Sequence, residues 1–160
     1  MTAAIEPQVR SANGDDLGFL VEATELGREA VVGTRGGDVE LLLTAPETTL
    51  GDRYGSALAD ESQMISIGMV DDVAVGFARA EVRTSPVGES ICHIHELFVL
   101  PDARGVGVGA RLLDEVVAFA RTGGCIGVDA RALPGDRNTK NFFESFGLVA
   151  RSLAVHTSLD

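Results

Sequence analysis

The stretch LFVLPDARGVGVGARLL, residues 97–113, decides how this chain is read. It begins as an apolar, strand-like run, is stopped by Pro101, and then carries Gly105, Gly107 and Gly109. Leu112 and Leu113 then open an apolar stripe that continues at helical spacing through Val116, Val117 and Ala120, with Asp114, Glu115 and Arg121 on the other side. Consecutive N–H groups in a glycine turn, backed by the first turn of a helix, form a nest for anions at the positive end of the helix dipole. Glycines keep β-carbons out of the way, and Arg104 at the mouth adds a charge-assisted donor, so a diphosphate fits. Two other readings stand beside this one. Gly105, Gly107 and Ala110 satisfy the dinucleotide pattern G-x-G-x-x-G/A, with Asp129 about 20 residues on as a ribose-binding acid. Against it, Pro101-Asp102-Ala103 separate the strand from the first glycine, and antiparallel strands come earlier. The other is a plain turn joining strand to helix.

Working outward, the segment before the loop reads as three antiparallel strands. QMISIGMV and VAVGFARAEVR are split by Asp71-Asp72, a hairpin signal, and SICHIHELFVL follows a second turn at Ser85 to Glu89. After the loop the order becomes helix (about Gly107 to Thr122), strand (CIGVDAR), helix (from about Asp136 to Asn138) and a last strand, LVARSLAVHTSL. Alternating elements favour parallel pairing, so the sheet is expected to be mixed. Nearer the N-terminus, Gln8 to Ser11 reads as a short strand. Asn13 or Asp15 caps a helix bearing Leu17, Leu20, Val21 and Leu26, and GDVELLLT is a weaker helix. APETTLGDRYGSALADES is polar, rich in turn residues and compatible with a short helix or a loop.

The 160 residues fit one domain, able to bury roughly 70% of the surface its unfolded chain exposes. No apolar run nears the ~20 residues of a membrane helix, and MTAAIEPQVRSANGDD lacks the features of a signal peptide, so a cytoplasmic protein without membrane contact is expected. A net charge of −11 argues against nucleic acid and favours cationic substrates. Cys92 and Cys125 lie in apolar runs and read as reduced, buried thiols. Strand alternation turns Cys92 away from His93 and His95, and no ligand-pair spacing is present, so no metal site is expected.

Position by position, the opening stretch resembles the acyl-CoA loop of the GNAT superfamily of N-acetyltransferases, L-x-V-x-P-x-x-R-G-x-G-x-G/A-x-x-L-L. Leu97, Val99, Pro101, Arg104, Gly105, Gly107, Gly109, Leu112 and Leu113 all match, and NFFESFGL resembles the family's second segment. The resemblance covers about Ile91 to Leu148. It implies one α/β domain over 1–160, with a mixed, mostly antiparallel sheet that splays after its fourth strand and helices on both faces. It implies acetyl-CoA as cosubstrate, its pantetheine arm against the peptide groups of Phe98, Val99 and Leu100. The diphosphate would lie on the backbone of Arg104, Gly105, Val106, Gly107, Val108, Gly109 and Ala110. The implied activity is direct transfer of an acetyl group to a small-molecule or peptide amine in a ternary complex. A non-catalytic acyl-CoA-binding or sensing module is the alternative.

A lysine-like amine is mostly protonated at pH 7, so attack needs a proton acceptor, costing roughly 4–5 kcal/mol without one. Glu96, where relatives often carry a carboxylate, is the candidate base; otherwise it neutralises the substrate cation or pairs with an arginine. Alternation turns His95 to the opposite face, and a register one residue off makes His95 the base. Relatives often reprotonate the leaving thiolate with a tyrosine, but here that position is Phe143, which has no proton to give. Tyr54, the only tyrosine, lies in the unassigned segment with reach to the site. Asn138 is a shifted match to a family asparagine whose slot holds Asp136, and Arg137 and Lys140 are near enough to meet phosphates. Glu47, Asp52, Asp60 and Glu61 suit a cationic acceptor. After Gly147 the chain has room for one strand where many relatives have two, which leaves a sheet edge that a homodimer would cover.

Overall fold

A computed structural model describes residues 4–160. Five strands form one open sheet in the order β1-β2-β3-β4-β5. They are β1 (Gln8–Ser11), β2 (Gln63–Val70), β3 (Val73–Thr84), β4 (Ser90–Val99) and β5 (Gly127–Asp129). The first four pair antiparallel and β5 lies parallel to β4, the mixed sheet expected. Asp71 and Asp72 both take positive φ, 48° and 62°, which closes the β2–β3 hairpin in two residues; aspartate tolerates this region better than most side chains.

Alternation along the strands makes two cores. Ala78 and Ala80 of β3, with Cys92 and Ile94 of β4, face α4 (Val108–Thr122), whose Val108, Leu112, Leu113, Val116 and Ala120 are buried against them. On the other face Phe77, Ile65 and Ile67 meet Leu20 and Ala23 of α1 (Leu17–Glu29) and Tyr54 and Ala57 of α3 (Leu50–Leu58). The helix over GDVELLLT is present as α2 (Gly37–Leu43), and α5 (Arg137–Ser145) follows β5. Gly68 on β2 lets α4 close on the sheet: a β-carbon there would stand 2.5 Å from Val108 Cγ1 and 3.3 Å from Leu112 Cδ1. Both cysteines are free thiols, and burial pushes Cys92 up to about 11.

Two features prepare the site. β5 pairs with β4 only at Ile91, Cys92 and His93, so β4 continues to Val99 with that edge unpaired, which is the splay. Further, the β3–β4 register slips between Arg79 and Ala80, which face Glu96 and Ile94 respectively. The slip is a β-bulge with His95 as the extra residue. Ile94 and Leu97, three apart, therefore both reach the α4 core, while His95 and Glu96 share the other face.

One open reading is decided and one expectation changes. The segment 44–62, compatible with a short helix or a loop, holds the helix α3, capped by Thr49 Oγ1 on the Asp52 N–H, so Tyr54 is a helix residue. The last strand over LVARSLAVHTSL does not form: residues 149–160 have no regular structure, and Leu153 and Val155 are 89% and 94% exposed. Their alternation lacks a neighbour, because a strand gains its stability by pairing and burying one face. Among the described residues no helix is long and apolar enough to cross a membrane.

Candidate active site

The glycine loop leaves β4 at Leu100, whose N–H donates to Val75 O, and turns through a short 3₁₀ segment at Pro101–Ala103. Gly105 and Gly107 adopt φ of 82° and 95°, a conformation that side chains resist, and Gly107 caps α4. Gly109 serves packing instead: a β-carbon there would meet the Phe142 ring at 3.2 Å. Among the described residues no side chain caps α4, and the backbone N–H groups of residues 105–110 donate to no acceptor. These donors, at the positive end of a 15-residue helix, fit a diphosphate. Of the loop's apolar residues, Val108 is buried in the α4 core and Val106 packs at its rim, so their side chains hold the loop down while their N–H groups stay available.

Alternation sorts the three strand positions expected to receive a pantetheine arm. Because the Leu100 N–H points to β3, the peptide groups of Leu100 and Phe98 face β3 and those of Val99 face the open edge. Arg104 does not lie over the loop. Its Nε donates to Val99 O at 2.9 Å, with the guanidinium carbon 5.7 Å from the Phe98 ring centre.

Beside the splay opens a cleft of about 740 Å³ walled by α1, the segment from α2 to α3, β3, β4 and residues 130–143. Glu96 stands in its wall, its side chain 20% exposed. Arg79 Nε donates to Oε2 at 2.8 Å, the Tyr54 hydroxyl to Oε1 at 3.0 Å, and Arg53 Nη1 lies 3.8 Å from Oε1. Tyr54 is fully buried behind Glu96, edge-on to Phe77, and its oxygen also bonds the Thr24 hydroxyl. Burial first, then the negative charge of Glu96, raise its pKa far above that of a free phenol. Tyr54 is thus a donor fixed on Glu96, not a cleft-lining group with reach to a leaving thiolate.

His95 also lines the cleft, a result of the bulge that plain alternation missed. Its Nε2 lies 2.8 Å from Glu81 Oε2. Its pKa is lowered from 6.5 chiefly by burial, then by Arg79. His93 packs edge-on against it, ring centres 5.0 Å apart, with Nδ1 3.8 Å from Asp129 Oδ2. Asp129, the ribose acid of the dinucleotide reading, is instead bonded by Arg151.

Of the remaining sequence candidates, Phe143 lines the cleft from α5 and is packed into the α4 core. Asn138 is exposed on the first turn of α5 and does not line the cleft; Asp136 and Thr139 do, and Asp136 caps the helix by accepting from the Thr139 N–H. Lys140 pairs with Glu144 at 2.8 Å. Glu47 and Asp52 line the cleft, whereas Asp60 accepts from Ser62 and Gln63 away from it. Sequence reasoning passed over Arg79 and Arg53. Arg79, Glu81 and Arg83, charged at every second position of β3, were the available signal of a polar strand face. Among the described residues no three His, Cys, Asp or Glu side chains gather as a metal-binding group.

The acetyltransferase (GNAT) family model matches residues 38–148. An uncharacterized N-acetyltransferase from Archaeoglobus fulgidus is 29% identical over 118 residues, spanning 71% of this chain and 73% of the relative. Among solved structures, the aminoglycoside N-acetyltransferase AAC(6')-Iy in complex with CoA aligns with a TM-score of 0.77 at 18% identity, over 99% of this chain and 97% of that one. The same enzyme bound to the bisubstrate analogue CoA-S-monomethyl-acetylneamine aligns at 0.75 with 19% identity, over 97% and 99% of the two chains. At these identities the structural likeness speaks for the fold: an open mixed sheet flanked by helices.

Proposed function

The chain belongs to the GNAT acetyltransferase family, and from that premise we propose that it moves an acetyl group from acetyl-CoA to a primary amine by direct attack in a ternary complex. The observation that carries this reading is one of arrangement. The unbonded N–H groups of residues 105–110 and the outward peptide groups of Val99 lead along one strand into the cleft that holds Glu96. The backbone of residues 105–110 would hold the diphosphate, the Arg104 N–H being already bonded to Pro101 O, and Val99 the pantetheine arm. When bound, the cosubstrate supplies an acetyl thioester, the activated carbonyl.

The chain's own residues do the rest. Glu47, Asp52 and Glu96 draw a cationic amine into the cleft, and Glu96, its oxygens held by Tyr54 and Arg79, receives the ammonium. Glu96 or His95 then takes the proton, directly or through water, which frees the nitrogen lone pair. Binding of a polyanion to a chain of charge −11 rests on local donors, not on the overall field. The aminoglycoside in the name of one structural neighbour supports a small amine as acceptor, with a peptide amine as the other class the reading admits. A second copy covering the free edge of β5 belongs to the same reading; light scattering that finds a monomer at high concentration removes it.

Glu96→Gln tests the assignment. Thiol release at low amine concentration should fall across a broad amine panel while calorimetric affinity for CoA is kept; full activity of the variant at every amine concentration refutes a role for this carboxylate. Phe143 and the buried Tyr54 leave the cleft without a phenol donor, which favours the second reading, a non-catalytic acyl-CoA-binding or sensing module. Wild-type protein that binds acetyl-CoA yet releases no thiol with any amine decides for the sensor.

A further inference from the structure

We propose that His95, oriented by Glu81, is the group that takes the proton from the substrate amine, at its Nδ1, while Glu96 anchors the ammonium. This rests on the acetyl-transfer reading.

Five observations carry it. The bulge turns His95 onto the same face as Glu96: the two bond Glu81 and Arg79, alternate residues on one face of β3, and both line the cleft. The ring is held at one end only: Nε2 bonds the Glu81 carboxylate, which being an acceptor fixes the proton on Nε2 and leaves the lone pair on Nδ1. Nδ1 has no partner within the described chain, and among the described residues every buried side-chain nitrogen or oxygen is bonded, so Nδ1 is open to solvent. Both Glu96 oxygens, by contrast, already accept from Tyr54 and Arg79. His93, edge-on at 5.0 Å, sets the plane of the His95 ring.

The charges around the pair are Arg79, Glu81 and Arg83 on β3, His93 and Glu96 on β4, Arg53 reaching Glu96 from α3, and Asp129 and Arg131 behind His93. Burial and Arg79 keep the imidazole neutral, hence able to accept, at neutral pH. In the step, one ammonium proton passes to Nδ1 and the imidazolium pairs with Glu81. The amine lone pair forms the new C–N bond at the thioester carbonyl, the C–S bond breaks with its electrons going to sulfur, and a second nitrogen proton goes to that sulfur. Amide and thiol result, and Nδ1 returns its proton to water.

The test compares His95→Gln, Glu81→Gln, Glu96→Gln and His93→Gln, using whichever aminoglycoside, polyamine or peptide amine the wild type acetylates. We expect His95→Gln to lower kcat by about 10²–10⁴-fold with little change in the KM for acetyl-CoA, and to abolish an acid limb in the pH profile. That limb should have its wild-type midpoint below the ordinary histidine value of 6.5. Glu81→Gln removes a charge that favours the imidazolium, so its limb moves to lower pH. Glu96→Gln should raise the KM for the amine and keep the limb, as should His93→Gln. Nitrogen-15 spectra of the wild-type imidazoles should show the His95 proton on Nε2. The proposal is overturned if the limb survives in His95→Gln, if it vanishes in Glu96→Gln alone, or if the proton lies on Nδ1. A wild type that binds acetyl-CoA but acetylates no amine overturns the transfer reading itself, and the proton-transfer role of His95 falls with it, even where the spectra uphold its bond to Glu81.

Discussion

Replacing Tyr54 with phenylalanine removes one oxygen and keeps the ring, so it isolates what that hydroxyl does. The ring is fully buried and edge-on to Phe77, and a phenylalanine fills the same space. Lost are the bond to the Thr24 hydroxyl, worth about 1 kcal/mol, and the donation to the Glu96 carboxylate, worth about 1.5–3 kcal/mol for a charged acceptor. Glu96 keeps Arg79 and is reached by water in the cleft, so the second figure takes its low end. The total is about 2–3 kcal/mol. For a chain of this length that lowers the melting temperature by about 5–10 °C. Urea denaturation followed by circular dichroism reads the free energy, and the same preparation gives kcat. A loss under about 0.5 kcal/mol would refute the buried Thr24–Tyr54–Glu96 chain. Unchanged stability with a large fall in kcat would restore Tyr54 as an acid for the thiolate.

Other perturbations test other parts of the molecule. Gly107→Glu puts a side chain at φ 95° and a negative charge among the loop amides, so calorimetric CoA affinity should fall at least about tenfold; unchanged affinity would remove the anion nest. Gly68→Val drives carbon into Val108 and Leu112 and should cost about 1–3 kcal/mol by urea denaturation. Asp16 is held below its ordinary 3.8 chiefly by hydrogen bonds from Arg10, burial opposing, so the stability it contributes is complete above that value and is lost as pH falls through the lowered folded value. Arg10→Ala should therefore lower stability near neutrality and shrink this loss under acid, which a pH series of thermal melts will detect.

The parts of the fold legible in the sequence were those marked by punctuation and by burial period together. Pro101, the glycines and the stripe from Leu112 to Ala120 announced strand, turn and helix, and the Asp71-Asp72 pair announced the hairpin. The α3 helix was legible only as one of two alternatives, because Gly51 and Gly55, poor helix formers, dilute the spacing of Leu50, Tyr54 and Leu58. The tail was misread because alternation at Leu153 and Val155 says only which face a strand would bury, not that a neighbouring strand exists. The bulge at His95 is a matter of pairing: an extra residue is invisible until the partner strand is laid beside it. For that reason Glu96 could be read from the sequence as a site residue, whereas its neighbour could not be put on the same face.

The arginine folded against Val99 has a wider meaning. A strand edge with unpaired peptide groups invites any extended chain, including that of another molecule, and proteins commonly guard such edges with charge. Arg104 donates its Nε proton to the Val99 carbonyl, so a newcomer that needs this oxygen to itself has to displace a guanidinium. Docking there is an exchange. A ligand that also offered phosphates to the freed guanidinium would recover what it displaces, whereas a bare peptide strand would not.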